Sequence, residues 1–150
     1  MTMEEGERKS ADVAREYRTG EVVVYWEPRF CMHSARCLQG LPAVFDVQRR
    51  PWVSIGSAPA DDIARVVATC PSGALSFERL DGGPQESVPE ETDVQPWPNG
   101  PLFVRGHIKV KDASGNTVRE ATRAALCRCG GSGNKPFCDG THRTNGFRAP

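Results

Sequence analysis

Apolar and polar positions along this chain fall into short blocks with two different periods. Glu21–Trp26, EVVVYW, is a β-branched and aromatic run that predicts a strand, closed by Pro28. Cys31–Gly40 passes from loop into a short helix, which Gly40 and Pro42 stop. Val44–Val47 and Trp52–Ile55 predict a pair of short strands around Arg49–Pro51. Pro59–Thr69 is the best helix: Pro59 suits a first turn, Asp61 and Asp62 complement the helix dipole, and Ile63, Val66 and Val67 recur at helical spacing. That stripe is read as core. Cys70–Pro71 ends the helix, and Ala74–Phe77 returns as a strand. Further on, Leu102–Arg105 and His107–Lys111 are strand-like, with Gly106 a kink or bulge between them. A turn at Ser114–Asn116 leads to a third short strand near Thr117–Ala121.

Between these blocks the pattern breaks. Residues 79–98 carry Pro84, Pro89, Pro96 and Pro98 among Gly82, Gly83 and acidic side chains, and read as an extended linker of mixed coil. The expected organisation is a polar tail over 1–16, a small domain over 17–78, the linker over 79–98 and a β-rich domain over 99–150, an α+β chain overall. No internal repeat is visible. Hydrophobic residues make up 38% and charged residues 25% of the 150 positions, so the core is thin and a metal is a natural source of extra stability. No apolar run is long enough to cross a bilayer, and the polar start MTMEEGERKSADVAREYRTG lacks an apolar signal segment. The expected location is the cytoplasm, where six cysteines read as metal ligands before disulfides. Net charge is zero but unevenly spread: residues 1–100 hold 10 Lys+Arg against 16 Asp+Glu, residues 101–150 hold 9 against 3. The simplest reading is two surfaces of opposite sign that attract each other.

The densest chemistry lies in CRCGGSGNKPFCDGTH, residues 127–142. Cys127 and Cys129 are two apart, so an extended backbone points both sulfurs to one side. Cys138 and His142 are four apart, so a turn of helix would set them on one face, with Asp139 accepting a backbone N–H at its start. Gly130, Gly131 and Gly133 let the loop approach a metal, Pro136 stiffens its return, and Ser132 with the loop amides is a candidate donor to cluster sulfide. Spacing alone favours structural zinc, for which three Cys and one His is a common set. The intervening residues reverse that preference. Cys127, Cys129, Ser132, Pro136, Cys138, Asp139, Gly140, Thr141 and His142 together resemble the CDGSH iron–sulfur domain family of the mitoNEET type, with Thr141 in place of the serine of the family name. GPLFVRGHIKV and RAALCRC resemble that family's strands, extending the likeness to about residues 99–148. The resemblance implies a 2Fe–2S cluster with Cys127 and Cys129 on one iron and Cys138 and His142 on the other. It also carries the expectation of a homodimer. A neutral imidazole in place of a thiolate raises the reduction potential, and its capacity for a proton implies loss of the cluster in mild acid.

Cys31 and Cys37 are followed far downstream by Cys70–Pro71. A four-cysteine ferredoxin spaces its ligands Cys-x2-Cys-x2-Cys with a remote Cys-Pro, and here Ser34 stands in the middle position. Three cysteines at this spacing suit a 3Fe–4S cluster, or a 4Fe–4S cluster with a weaker fourth ligand from Ser34 or His33. Ser34 as a gap-filler and His33 as a surface or supporting histidine are the plainer readings, because an alkoxide matches iron–sulfur chemistry poorly. YRTGEVVVYWEPRFCMHSARCLQGLPAVFD, then RPWV, then CPSGAL, resembles the divergent 4Fe–4S mono-cluster ferredoxin family, and is similar to the short three-cysteine ferredoxins that serve bacterial haem monooxygenases, over about residues 17–78. The two sites then use all six cysteines.

Trp26, Trp52 and Trp97 are read as core or interface, and His107 as structural or surface. Arg128, Lys135 and Arg143 surround the C-terminal site with positive charge, which either balances the cluster or docks an acidic partner or a phosphate. No phosphate loop or nucleophile set remains once the thiols are ligands, so no enzyme is expected. The expectation is an electron carrier with two clusters, meeting redox partner proteins and neither nucleic acid nor membrane. The alternative is cluster delivery to apo-acceptor proteins, or iron and redox sensing, using a labile His142 bond.

Overall fold

The computed structural model describes residues 14–150. The expected polar tail over 1–16 lies mostly outside the described residues, but its end does not: Arg15–Arg18 is already a strand, β1. β1 pairs antiparallel with β2 (Val22–Trp26), and β2 with β3 (Leu75–Arg79), in the order β1-β2-β3. The β-branched Val22–Val24 run forms β2 as expected, at the centre of the sheet and buried throughout. A 3-10 turn, Pro28–Phe30, leads to the first cysteine. The helix expected before Gly40 is α1 (Arg36–Gly40), and the longer helix is α2 (Ala60–Val67). Its stripe Ile63, Val66 and Val67 joins Val22, Val24, Val44, Phe45, Val53 and Leu75 in the main core. The strand pair expected at Val44–Val47 and Trp52–Ile55 shrinks to one antiparallel bridge, Phe45 to Val53. Trp52 packs edge-on to Trp26 at 5.0 Å, so both are core residues.

The second sheet has the order β4-β5-β6, all antiparallel. β4 (Asp93–Pro96) falls inside the segment that the sequence reads as linker. It is missed because all four of its residues are exposed and it ends in a proline at a sheet edge, where a missing donor costs nothing. β5 (Leu102–Lys111) runs without a break through Gly106, whose φ of 149° coincides with a register shift between Arg105 and Ile108. β6 extends to Leu126, five residues beyond the expected Thr117–Ala121. Among the described residues no helix is long and apolar enough to cross a membrane.

The segment between the sheets is pinned. Gln85 accepts the Arg79 amide at 2.9 Å and donates to the Arg79 carbonyl at 3.0 Å, as a further strand residue would. Glu86 takes the Arg123 Nε at 2.7 Å and the Thr122 hydroxyl at 3.1 Å. The opposite charges of the two halves thus meet face to face, with Glu27 a second acid beside Arg119 at 4.0 Å.

The two sheets share buried structure. Arg123, 1% exposed on β6, donates to the carbonyls of Val67 (3.2 Å), Cys70 (2.5 Å) and Leu75 (2.9 Å) in the first half. Arg119 donates to the Ser72 carbonyl at 2.8 Å and lies over the Phe30 ring at 3.9 Å. Phe30 meets Phe137 edge-on at 4.9 Å. A guanidinium can satisfy several carbonyls at once, which lets a buried cation clamp a loop from another domain.

Candidate metal centre

The C-terminal donors are set by a short ladder. Cys127 donates its amide to the Pro136 carbonyl at 2.8 Å, and Cys138 donates to the Ala125 carbonyl at 2.8 Å, around a bridge from Leu126 to Phe137. Side chains alternate along such a ladder, so Cys127 and Cys138 emerge on the same face. The Cys127 and Cys129 sulfurs are 3.9 Å apart, as their extended spacing predicts. Cys138 Sγ lies 3.5 Å from His142 Nδ1. The helical turn expected for that second pair is absent; a 3-10 turn covers only Thr141–Arg143, behind Gly140 at φ 92°. Asp139 does accept the Thr141 amide (3.1 Å), and its other oxygen takes the Gly133 amide (2.9 Å), tying the return to the glycine loop. These bonds, that to the Thr141 hydroxyl first, hold the Asp139 carboxyl below its usual range.

Ser132 is engaged elsewhere than expected. Its hydroxyl donates to the Phe137 carbonyl at 2.6 Å and accepts the Asn134 amide at 3.0 Å, so it braces the loop. Amides do point at sulfur. Gly131 N–H reaches Cys129 Sγ at 3.3 Å and Gly140 N–H reaches Cys138 Sγ at 3.4 Å. The Gly131 amide lowers the Cys129 pKa, whereas burial raises that of Cys138 and lowers that of His142.

The N-terminal thiols Cys31, Cys37 and Cys70 line one small pocket with Trp26, Met32, Ser34 and Ser72. The loop between the first two curls through left-handed residues, His33 at φ 58° and Ala35 at φ 63°. That curl turns the His33 amide back onto Cys31 Sγ at 3.3 Å, the same donor two positions on that Cys129 and Cys138 receive. Cys70 Sγ has the Ser72 hydroxyl at 3.7 Å. Ser34 accepts the Arg36 amide at 3.4 Å, and His33 Nδ1 lies 3.7 Å from Cys31 Sγ. Burial raises the Cys31 pKa and pushes Cys37 up to about 11. A thiolate at these depths needs a cation beside it, which a metal supplies.

Among the described residues no group of three or more His, Cys, Asp and Glu side chains closes on one point. The donors are nevertheless soft and clustered by site, a fit for iron–sulfur chemistry. Arg128 and Arg143, read from sequence as positive charge around the site, donate to backbone carbonyls. Arg128 donates to the carbonyls of Gly100 (2.8 Å) and Trp97 (2.7 Å), and Arg143 to those of His33 (2.6 Å) and Met32 (2.5 Å). Trp97 is an interface residue: Arg36 stacks on its ring at 4.8 Å. His107 is exposed on β5.

A mixed α+β fold with a thiol set on each half defines an iron–sulfur type of protein, and the comparisons agree. Residues 17–79 match the family described as divergent 4Fe-4S mono-cluster, and residues 99–143 the family described as iron-binding zinc finger CDGSH type. The chain belongs to both families, an N-terminal divergent 4Fe–4S ferredoxin-like domain fused to a C-terminal CDGSH domain. Their members are structural and electron-transfer domains, not catalytic ones. The uncharacterized protein YjdI of Escherichia coli (strain K12) is 37% identical over 60 residues, 39% of this chain and 79% of YjdI. YjdI of Escherichia coli O157:H7 matches to the same extent.

Proposed function

We propose that this chain is an electron carrier with two iron–sulfur clusters. The observation that carries the reading is the pairing of donors at the C-terminal site: Cys127 with Cys129 at 3.9 Å, and Cys138 with His142 at 3.5 Å. Zinc asks for four donors around one ion, whereas a 2Fe–2S core takes two protein donors at each iron. Cys127 and Cys129 would hold one iron, Cys138 and His142 the other. Cys31, Cys37 and Cys70 would hold a 3Fe–4S or 4Fe–4S cluster. When bound, such clusters take up and release single electrons. The protein's part is to raise the potential: the amides of His33, Gly131 and Gly140 donate to ligand sulfur, and His142 brings no negative charge. A cytoplasmic setting, with redox proteins as donors and acceptors, suits a chain of this kind.

The test is anaerobic analysis of iron, sulfide and zinc with electron paramagnetic resonance. Iron and sulfide at both sites are expected, and an oxidised three-iron centre is paramagnetic where oxidised two-iron and four-iron centres are silent. A colourless zinc protein would refute the reading. Transfer of intact iron and sulfide to an apo-ferredoxin would instead support delivery as the role.

A further inference from the structure

The two cysteine sites touch through their own loops. Met32, adjacent to Cys31, is 2% exposed and packs in one buried group with Cys138 and Ala125. Its carbonyl accepts Arg143 Nη2 at 2.5 Å, and the His33 carbonyl accepts Nη1 at 2.6 Å. Arg143 directly follows His142. The approach is as close as backbone allows: a Cβ on Gly140 would lie 2.8 Å from the Met32 carbonyl oxygen. A second strut holds the same loops, with Asn134 Nδ2 donating to the Arg29 carbonyl at 2.6 Å.

We propose that Met32 and Arg143 form a bridge over which one electron passes between the two sites of a single chain. The proposal rests on the two-cluster reading. One path leaves Cys31 along the peptide to the Met32 carbonyl, crosses the hydrogen bond to Arg143, and reaches His142 along the backbone. The other leaves the Met32 side chain through the buried group it shares with Ala125 and Cys138. Both run through bonded or touching atoms, and tunnelling through such atoms is far more probable than across a solvent gap. One site loses one electron and the other gains it; no bond forms or breaks and no proton is required. The first electron comes from an external one-electron reductant. Arg143 and Met32 are positioning residues, since neither is itself a donor to metal.

The full-length protein, loaded anaerobically with iron and sulfide, is given less than one electron per chain by flash photoreduction. Redistribution between the sites is followed at several protein concentrations, and paramagnetic resonance is recorded with both centres paramagnetic. The expected rate is independent of protein concentration, and the two signals broaden or split each other. Met32→Ala removes the side-chain path and Arg143→Ala the hydrogen-bonded one, so each should slow transfer measurably while the other path survives, and the two together by roughly 10-fold or more, the scale seen when groups supporting a ligand are removed. Arg143→Lys should fall between, because an ammonium reaches one carbonyl where the guanidinium fork reaches two. Met32→Leu keeps the packing and should stay near the parent rate. A rate proportional to concentration, or the absence of magnetic interaction with both clusters loaded, overturns the bridge alone. Unchanged rates in variants that retain both clusters do the same. A parent chain that takes up no iron and sulfide overturns the two-cluster reading and the bridge with it. The parent measurement decides the matter even where a variant fails to load.

Discussion

Replacing Arg123 with methionine removes the cation that ties β6 to the first half of the chain. Arg123 serves three carbonyls, of Val67, Cys70 and Leu75, and the carboxylate of Glu86, whose side chain is only 12% exposed. Hydrogen bonds to a charged group are each worth about 1.5–3 kcal/mol, but they do not add, and the stranded partner dominates. Deleting one member of a buried ion pair costs about 3–5 kcal/mol, and the same range is expected for Arg123→Met. In a chain of this length that lowers Tm by on the order of 10 °C. The carbonyls that lose the guanidinium flank and include Cys70, so the N-terminal absorption should be lost in urea before the C-terminal absorption. Urea unfolding at neutral pH, followed by circular dichroism and visible absorption, measures both effects. Adding Glu86→Gln to Arg123→Met removes the stranded charge and should restore roughly 1–3 kcal/mol. A cost for Arg123→Met below about 1 kcal/mol, or a double variant no more stable than the single one, would contradict a clamp at Arg123.

Three further expectations follow from single contacts. Gly140→Ala forces a side chain into φ 92° and against the Met32 carbonyl, so it should cost roughly 1–3 kcal/mol, read as an earlier urea midpoint; an unchanged midpoint would contradict the close approach of the two loops. His142→Cys exchanges a neutral donor for an anionic one and should lower the reduction potential of the C-terminal centre in a redox titration, with a rise counting against His142 as a donor. Asp81 is held at about 2, against an ordinary 3.8, first by hydrogen bonds from Arg79 and then by the Gly83 amide. A depressed folded value means that the stabilisation is complete above the unfolded pKa and disappears as pH falls through about 2. Asp81→Asn should therefore flatten the pH dependence of unfolding between about pH 4 and 2, and an unaltered slope would remove Asp81 as its source.

Local chemistry was legible wherever a residue answers to its neighbours in sequence. Val22–Val24, the Pro59–Asp62 helix start and the stripe on α2 announced themselves, as did the paired spacing of Cys127 with Cys129. β1 and β4 were hidden because REYR and DVQP are largely exposed edge segments, with no apolar alternation to betray them. The 3-10 turn at Thr141–Arg143 was misread as helical because a four-residue spacing brings Cys138 and His142 together in either geometry. What sequence could not offer was the meeting of the halves. Arg143 grips carbonyls 110 and 111 positions away, and Arg123 grips others about 50 away. In composition such arginines look like surface charge. Only the carbonyls they reach, and for Arg123 its burial, reveal them as clamps. The left-handed turn at Ala35 was equally silent, because alanine rarely takes positive φ, and the mild preference of histidine for it at His33 does not by itself announce a turn.

β4 has a practical consequence for anyone who divides the chain. The CDGSH match begins at residue 99, yet Asp93–Pro96 is the outer neighbour of β5. A fragment started at the match boundary would strip that neighbour and leave a row of unanswered amides and carbonyls along Leu102–Arg105. Bare rows of that sort recruit strands from other molecules. Self-association of such a fragment would then report the cut, and would say nothing about how the intact protein assembles.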